Sequence, residues 1–437
     1  MSRTKSLLTI TFFTHGIIFY MIAGASAQPT PTKSTPAATT KAADALVTGT
    51  RAAPAALSTP AIAPLYPIAL DFEFPQAKAA FDETKALILA NFYSDTVNEQ
   101  ELYWAATKGM LSYISAPQTR NQQKIFRQTE RDQLKKVFEG KSATLGFDSS
   151  FDLRDGSLTV TNILPGSPAD GILRPLDRIL RIGDKTLLGK SASEVQDLFK
   201  GPLNSTVTVK VVRDVAVLDV VLTRKEFSVD PVRVFRLPGR VGLIEIGLIT
   251  ENVSKRLGEE LRKLSDEGIH AFVLDLRNSS GGVFKEGIAM SDVFLKAGDP
   301  VLLLRTRAKT VERITTSDEA VIEGKVAVLI NQTTSSASEV FAGALQFNKR
   351  ARLFGTPSFG KATVDRPFDL ANNFQVLITT GVIYQPSGVS WYGRGLVPDQ
   401  VVPQAIDVYS KLSQMKPLLR QNKDGPLREA LRYVRAS

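Results

Sequence analysis

The order of apolar and polar positions separates the chain into stretches of different character, and the second half has the clearest pattern. After residue 240, short continuous apolar runs alternate with stretches in which apolar residues return every three or four positions. The first kind is typical of buried strands and the second of core-facing helices, so their alternation predicts an α/β core. The strand candidates are VGLIEI, AFVLDL, PVLLLRTR, KVAVLINQ, ARLFG and FQVLITTGVIY, and the helix candidates are NVSKRLGEELRKLSDEG, EGIAMSDVFL and ASEVFAGALQ.

The region before this core changes its pattern twice. The segment LYWAATKGMLSYIS has an apolar helical face formed by four residues spaced four apart: Leu102, Ala106, Met110 and Ile114. Further along, short β-rich runs such as SLTVTNIL, DRILRIG and STVTVKVV are separated by turn signals, with one helix candidate at ASEVQDLF. The predicted divisions are a helical region at 68–141, a β-rich module at 142–226, an α/β core at 227–410 and a helical tail at 411–437.

The first 67 residues lack a globular pattern. A basic start, MSRTK, precedes the apolar run LLTITFFTHGIIFYMI and the small residues AGASA, which together are typical of a secretory signal peptide over residues 1–27. We therefore expect an exported protein, most simply a periplasmic one, with an uncleaved membrane tether as the alternative. Residues 28–67 are rich in Ala, Pro and Thr and cannot bury enough apolar surface to fold, so we expect a disordered linker there.

Composition narrows the chemistry that the chain can perform. The net charge is +10, but Lys and Arg are interleaved with Asp and Glu rather than gathered into a basic stripe, so we expect no nucleic-acid partner. The absence of cysteine excludes thiolate nucleophiles and disulfides. There are two histidines, and His15 lies in the apolar amino-terminal run, which argues against a zinc site. We expect neither a metal nor another cofactor.

The hydroxyl-rich stretch TTSSASEVFAGALQ follows a predicted strand and enters a predicted helix near Ala337. In one reading Ser336 is the N-cap of this helix, and Glu339 completes a capping box without any chemistry. In the other reading the strand-to-helix turn presents the Ser336 hydroxyl, and the N–H of Ala337 binds a developing oxyanion. Gly281 and Gly282 end the predicted strand AFVLDL, where their bare backbone can approach a substrate carbonyl closely.

A serine hydroxyl needs a base to become a nucleophile at neutral pH. His270 lies at the end of its predicted strand opposite to Gly281 and Gly282, so we interpret it as structural. Lys361, in PSFGKATV, is the remaining candidate, provided that burial keeps its amine unprotonated. A surface or ion-paired lysine is the alternative.

The stretch TTSSASEVFAGALQFNKRARLFGTPSFGKATV resembles the signature of the carboxyl-terminal processing, or tail-specific, serine proteases. In that family a serine in an S-A-S-E run pairs with the lysine of an F-G-K run. The segments LYWAATKGMLSYIS, DLRNSSGGVFKEGIAMSDVFL and GVIYQPSGVSWYGRGLVPDQVV are similar to other family segments in the same order, so the resemblance covers about residues 75–437. It implies a crotonase-like (ClpP/crotonase-type) α/β protease core with an inserted PDZ domain and an N-terminal helical segment.

The resemblance also implies roles for individual residues. Ser336 would be the nucleophile and Lys361 the general base, and the oxyanion hole would be formed by the N–H groups of Gly281, Gly282 and Ala337. Asp365 stands where the family often has a glutamine that is thought to orient the lysine. A negative charge there favours the protonated lysine and opposes its role as a base. Asp365 would therefore orient Lys361 at that cost, or would pair with Arg366 or point away.

The β-rich module carries the resemblance to PDZ domains, which bind an extended C-terminal peptide as an added strand. The segment TLGF lies where the carboxylate-binding loop of the family would lie, so Leu145, Gly146 and Phe147 are the candidate substrate-binding residues. The segment GSPADGILRPLDRILRIGDK is similar to the next part of the family pattern, but Leu176 replaces the usual glycine.

These expectations combine into an exported serine endopeptidase that binds apolar C-terminal tails of proteins through its PDZ domain. The main alternative is a PDZ-containing binding or adaptor protein with a weak or inactive core. A cytosolic crotonase-like acyl-coenzyme hydrolase is a third reading, which the export signal and the PDZ module oppose. An activating partner protein and a homo-oligomer are further partners to test, although core packing explains the apolar faces of the terminal helices equally well.

Overall fold

The computed structural model describes residues 9–12, 74–94, 96–114, 124–142, 145–152, 155–163, 166–174, 176–190, 192–228, 230–277, 279–308, 311–317, 322–413 and 415–436. The predicted linker at 28–67 and most of the predicted signal peptide lie outside these residues. Among the helices that are described, none is both long enough and apolar enough to cross a bilayer.

The amino-terminal part contains three helices and two strands, and the second strand lies in the region that the sequence predicted to be helical. Its elements are β1 (Thr9–Phe12), α1 (Ala77–Asn91), α2 (Glu99–Tyr113), β2 (Lys124–Arg127) and α3 (Gln128–Phe138). Helix α2 begins at a capping box in which the side chains of Asn98 and Glu101 each accept from the backbone N–H of the other. The predicted apolar face of α2 does not form a core, because Met110 is 64% exposed and neither α1 nor α2 buries a side chain.

The β-rich module is an antiparallel sheet with one helix. Its elements are β3 (Lys141–Ser142), β4 (Phe147–Asp152), β5 (Ser157–Ile163), β6 (Arg178–Ile182), β7 (Lys185–Thr186), α4 (Ala192–Phe199), β8 (Thr206–Arg213), β9 (Ala216–Thr223) and β10 (Phe227–Ser228). The sheet order is β1-β4-β5-β6-β8-β9, with β7 beside β6, and β1 runs antiparallel to β4. Strands β3 and β10 pair where the chain enters and leaves the module.

The α/β core follows the predicted alternation of strands and helices. Its elements are β11 (Val232–Leu237), β12 (Val241–Ile246), α5 (Val253–Asp266), β13 (Ala271–Asp275), α6 (Phe284–Asp292), β14 (Pro300–Thr306), β15 (Val311–Thr315), β16 (Lys325–Ile330), α7 (Ala337–Phe347), β17 (Ala351–Gly355), β18 (Thr363–Asp369), β19 (Phe374–Tyr384), β20 (Gln400–Val401), α8 (Ile406–Ser413), α9 (Pro417–Arg420) and α10 (Gly425–Arg435). Strands β15 and β18 are polar enough that the sequence pattern did not reveal them.

Two sheets make up the core. The first has the order β11-β12-β13-β16-β17-β20, in which β12 to β20 are parallel and β11 is antiparallel to β12. The second has the order β15-β14-β19-β18, and β2 joins it by pairing with β19. The tetrapeptide of β2 is too short to show a period, which is why the sequence placed it in a helical region.

Helices cover both faces of the parallel sheet, so its central strands are buried on both sides. Every residue of β12 is buried, as is all of β16 except its first residue. One face packs on α5, α6 and α7, and the other on α10, whose Leu427 and Leu431 are buried against it. This arrangement aligns the carboxyl ends of neighbouring parallel strands, which is where α/β proteins place their ligand sites.

Candidate active site

Ser336 occupies the sharp turn between β16 and α7. Its backbone has φ 61° and ψ −122°, a conformation that a non-glycine residue adopts only at a cost of about 1–3 kcal/mol. The side chain is fully buried, and the hydroxyl has no hydrogen-bond partner among the described residues. Nucleophilic serines of α/β-hydrolases are presented by the same kind of strained strand-to-helix turn.

The glycine pair lies directly against this turn, because β13 and β16 are parallel neighbours. The backbone N–H of Ser335 donates to Ser279 O at 3.0 Å, which joins the two loops. Gly281 has φ +83°, and a Cβ added to it would lie 2.7 Å from Ser336 Cβ and 2.9 Å from Ala337 N. Only glycine fits this position. Since Ala337 is the first residue of α7, its N–H has no acceptor within the helix.

Gly282 fixes the other side of the same loop. Its φ is +147°, and an added Cβ would lie 2.0 Å from Ile249 O. Ile249 N donates to Gly281 O at 2.8 Å, and Val283 N donates to Ile249 O at 2.9 Å. The glycine loop is therefore held in a position beside Ser336 where its backbone can face a substrate carbonyl.

Glu339 ties the serine turn to the lysine segment. One carboxylate oxygen, Oε2, accepts from the backbone N–H of Ser336 at 2.8 Å and of Lys361 at 2.9 Å. The other oxygen, Oε1, accepts from Gly360 N at 2.7 Å and from Ser358 Oγ at 2.5 Å. The predicted contact from Glu339 to the N-cap is thus formed, and the same buried carboxylate also positions the backbone of Lys361.

Lys361 is buried, and its amine is paired with Asp365. The Nζ atom lies 2.9 Å from Asp365 Oδ2, and Thr379 Oγ1 donates to the other oxygen, Oδ1, at 2.6 Å. The side chains of Lys361 and Asp365 are only 4% and 3% exposed. The predicted alternative in which Asp365 pairs with Arg366 or points away is wrong, because the carboxylate of Asp365 accepts from the buried amine of Lys361. The Ser336 hydroxyl is not hydrogen-bonded to Lys361 in this arrangement.

Opposing effects act on the charge of the lysine. Burial lowers the pKa of Lys361 below its ordinary value, and the nearby carboxylates of Asp365 and Glu339 act against that lowering. Burial raises the pKa of Glu339 to about 7, although the four donors around its carboxylate favour the charged form. The site therefore contains a lysine that burial drives toward the neutral amine and a neighbouring acid that holds it back.

Two parts of the chain match the profiles of known families. The profile of Peptidase family S41 matches residues 240–402, and the profile of the PDZ domain matches residues 159–213. A carboxyl-terminal-processing protease of Synechocystis sp. is 30% identical over 323 residues, which cover 72% of this chain and 74% of that protein. The chain belongs to the carboxyl-terminal-processing proteases of Peptidase family S41.

Two further similarities show how much of each related protein the chain matches. A probable CtpA-like serine protease of Staphylococcus aureus is 31% identical over 320 residues, which cover 72% of this chain and 63% of that protein. The match thus spans less than two thirds of the length of that relative. The solved structure of a photosystem II D1 C-terminal processing protease has the same fold, with a TM-score of 0.52 and 21% identity over 79% of this chain and 99% of that one.

The candidate tail-binding residues of this S41 chain lie in the PDZ module, whereas Ser336 lies in the α/β core. Leu145 and Phe147 are 4% and 0% exposed and belong to the core cluster of this module. Gly146 has φ +77°, and an added Cβ would lie 2.0 Å from Ser167 Cβ, so the loop admits only glycine there. Leu176, which replaces the family glycine, also takes a positive φ of 73° and is half-exposed.

Several positioning residues of this S41 site were not found from the sequence. Ser279 is fully buried, and its Oγ contacts Ser338 Oγ at 2.8 Å, which fastens the glycine loop to α7. Thr379, on β19, donates a hydrogen bond to Asp365. The sequence predicted β19 as a strand but did not indicate that Thr379 would lie next to the partner of Lys361. His270 is exposed at the amino end of β13, opposite to the glycines, which is the position that the sequence predicted; its structural role stays a prediction.

Proposed function

We propose that this chain is an exported serine endopeptidase that binds apolar C-terminal tails of proteins and cleaves its substrates with Ser336 and Lys361. One observation carries the proposal: the buried hydroxyl of Ser336 is unbonded and its residue lies against the glycine loop, while the carboxylate of Glu339 joins the backbone of Ser336 to that of the buried Lys361. Such a site supplies a nucleophile, a base and backbone donors together.

The proposed reaction is acyl transfer through Ser336. The neutral amine of Lys361 accepts the hydroxyl proton as Ser336 Oγ attacks the scissile carbonyl carbon. The resulting oxyanion is stabilised by N–H groups of Gly281, Gly282 and Ala337. The ammonium of Lys361 then gives its proton to the leaving amine, and the acyl-enzyme is hydrolysed by water when the lysine acts as a base again.

In this proposal, the ion pair between Asp365 and Lys361 is the resting state of the enzyme. The amine must turn from Asp365 Oδ2 toward Ser336 Oγ and lose its proton before attack, so the enzyme is slow until substrate or a partner favours that exchange. This is the place at which an activating partner protein would act. The ion pair is fully buried, so bulk solvent does not weaken it.

The PDZ module would recruit the substrate through the edge of β4. That edge accepts an extended segment antiparallel to it, since Thr9–Phe12 pairs there with Ser149–Asp152. A substrate tail bound in the same way would run toward Gly146 and the loop that precedes β4, where PDZ domains hold a terminal carboxylate.

We further propose a crotonase-like core, which the repeated parallel β–α units support. We also propose export to the periplasm, with a membrane tether or homo-oligomer formation as additional features to test.

Cleavage of matched peptides tests this function. One unstructured peptide with an apolar C-terminus is incubated with the full chain, once as the free acid and once as the C-terminal amide. The proposal expects cleavage that is faster for the free acid and absent in Ser336→Ala and Lys361→Met. Equal rates for the two peptides would contradict tail recognition, and cleavage by Ser336→Ala would contradict the assigned nucleophile.

A binding or adaptor protein is the second candidate, because Lys361 is engaged by Asp365 and the Ser336 hydroxyl has no base bonded to it. This candidate expects the free-acid peptide to bind with the same affinity to wild type and Ser336→Ala, while neither protein cleaves it. Fluorescence anisotropy measures the binding and mass spectrometry the cleavage on the same samples.

A further inference from the structure

A buried cluster of charges lies outside the proposed catalytic pair and joins the carboxyl end of β13 to the C-terminal segment. Its central members are Asp275, Arg277 and Asp424, whose side chains are at most 1% exposed. Arg420 joins them, at 3.6 Å from Asp275 and 3.9 Å from Asp424, and also pairs with Glu245. Burying so many charges rarely stabilises a fold more than apolar packing would, so the cluster calls for another explanation.

Arg277 uses all of its N–H groups inside this cluster. Its Nε and Nη2 donate to the two oxygens of Asp275 at 2.9 and 2.6 Å. Its Nη1 and Nη2 donate to the two oxygens of Asp424 at 2.7 and 2.8 Å, and Nη1 also donates to Gln404 Oε1 at 2.9 Å. The guanidinium carbon lies 4.2 Å from the centre of the Tyr409 ring. Only a planar fork satisfies two carboxylates at once, so lysine cannot replace it.

The loop that begins at Arg277 leads directly to the glycine loop of the active site. Two residues later, Ser279 N donates to Leu276 O, and Ser279 O accepts from Ser335 N, both at 3.0 Å. Gly281 then lies against Ser336, as described above. The glycine loop is therefore held at its far end by Ile249, and its near end continues directly from Arg277, whose side chain is fixed in the charge cluster.

Apart from Asp275, the side-chain partners of Arg277 named above come from a part of the chain beyond residue 402, where the S41 match ends. Gln404 precedes α8, Tyr409 lies on α8, and Asp424 caps α10 by accepting from Leu427 N at 3.2 Å. Helix α8 also contacts β5 of the PDZ module. The C-terminal segment thus contacts both the base of the glycine loop and the module proposed to bind substrate.

We propose that Arg277 is a positioning residue for the oxyanion hole, and that the C-terminal segment 404–424 holds it in place through Asp424, Gln404 and Tyr409. The inference rests on the proposed peptidase function. The segment acts on the rate of acyl transfer, because a displaced Gly281 weakens contacts made to the developing oxyanion, whereas binding of the substrate tail in the PDZ module does not depend on it.

Two variants of the full chain test this role. Arg277→Lys keeps the charge but loses the double fork, and Asp424→Asn keeps the cap on α10 but removes the charge that faces Arg277. Arg236→Lys is the matched control, since Arg236 makes a comparable pair with Glu267 on the surface of the same core. For each protein, kcat and KM on a peptide and the rate at which a fluorophosphonate labels Ser336 are measured on the folded fraction, with thermal unfolding as a separate readout.

The proposal expects Arg277→Lys to lower kcat and the labelling rate about 10- to 100-fold, with KM within twofold of wild type. Asp424→Asn should lower both in the same direction by a smaller factor, and Arg236→Lys should change neither. If Arg277→Lys does not fold, Asp424→Asn decides alone. Folded variants with the kcat and labelling rate of wild type overturn the positioning role, even if they melt earlier. A wild-type chain that neither cleaves nor is labelled at Ser336 overturns the proposed function instead.

Discussion

Replacing Asp365 by asparagine isolates the effect of one charge on the proposed base. Asparagine has nearly the same shape, its oxygen can still accept from Lys361 Nζ, and its amide can still meet Thr379 Oγ1. The substitution removes the negative charge that holds the proton on the lysine. Since the carboxylate of Asp365 opposes the lowering of the Lys361 pKa by burial, Asp365→Asn should lower that pKa further.

The magnitude follows from the geometry of the pair. For opposite charges 2.9 Å apart, Coulomb's law at an effective dielectric constant of about 20 gives an upper limit of about 6 kcal/mol. Water does not screen the pair, because both side chains are at least 96% buried. If rearrangement leaves only about 1.4 kcal/mol of this difference, the neutral fraction of Lys361 still rises about tenfold at a pH below its pKa.

The assay is the pH dependence of kcat/KM on a fluorogenic peptide. A neutral-lysine mechanism loses activity as pH falls through the pKa of Lys361, so Asp365→Asn should move this acidic limb to lower pH and raise kcat/KM about tenfold at pH values on that limb. Asp369→Asn is the control, because Asp369 lies on the same strand and is 74% exposed. An acidic limb that stays in place or moves to higher pH would refute the reasoning.

The remaining predictions concern the loop, the buried acid and the PDZ turn. Gly281→Ala should lower kcat about 10²- to 10³-fold in steady-state kinetics, because the added Cβ would displace Ser336. Gly298→Ala is the control: a Cβ at residue 298 meets nothing within 4 Å, so kcat should not change. Burial raises the pKa of Glu339 from 4.5 to about 7. The protonated side chain therefore stabilises the folded state fully below about pH 4.5, and this stabilisation is lost as pH rises through about 7. The free energy of unfolding falls by up to about 3 kcal/mol over this range. Urea unfolding should therefore show that the free energy of unfolding falls less between pH 4.5 and pH 8 for Glu339→Gln than for wild type. Equal falls in the two proteins would disprove this. Leu176→Gly should stabilise the chain by about 0.5–1 kcal/mol by relieving a positive φ, whereas Leu188→Gly should destabilise it; a loss of stability in both would contradict the strain.

The core elements were predictable because burial on both faces leaves a strong local pattern. Strand β19 and helix α4 have the bounds that the apolar runs predicted, and α7 begins at the predicted residue, Ala337. The misses are elements whose stability comes from distant partners. Strand β2 forms because β19 offers it an edge, and the apolar face of α2 remains exposed although its period is correct.

The candidate site could be found from the sequence only in part. Ser336, Lys361 and Gly281 stood out because their local segments resemble a family signature, and Asp365 stood out because it departs from it. The contacts that position them are not local. Glu339 meets Gly360 across 21 residues and Arg277 meets Asp424 across 147 residues, and no periodicity connects such pairs. Glu339 was therefore read only as a helix cap, and Arg277 was not singled out at all.

The central claim is that Lys361 can act as a neutral amine beside Ser336. The most direct measurement is an NMR titration of the lysine Cε and Nζ signals of the full chain, with Lys361→Met to identify the signal and with a substrate-like peptide aldehyde to occupy the site. The account predicts that the Lys361 signal titrates below the range of ordinary lysines and that its midpoint matches the acidic limb of kcat/KM. A Lys361 signal that stays protonated throughout the pH range of activity, with the site occupied, would contradict it.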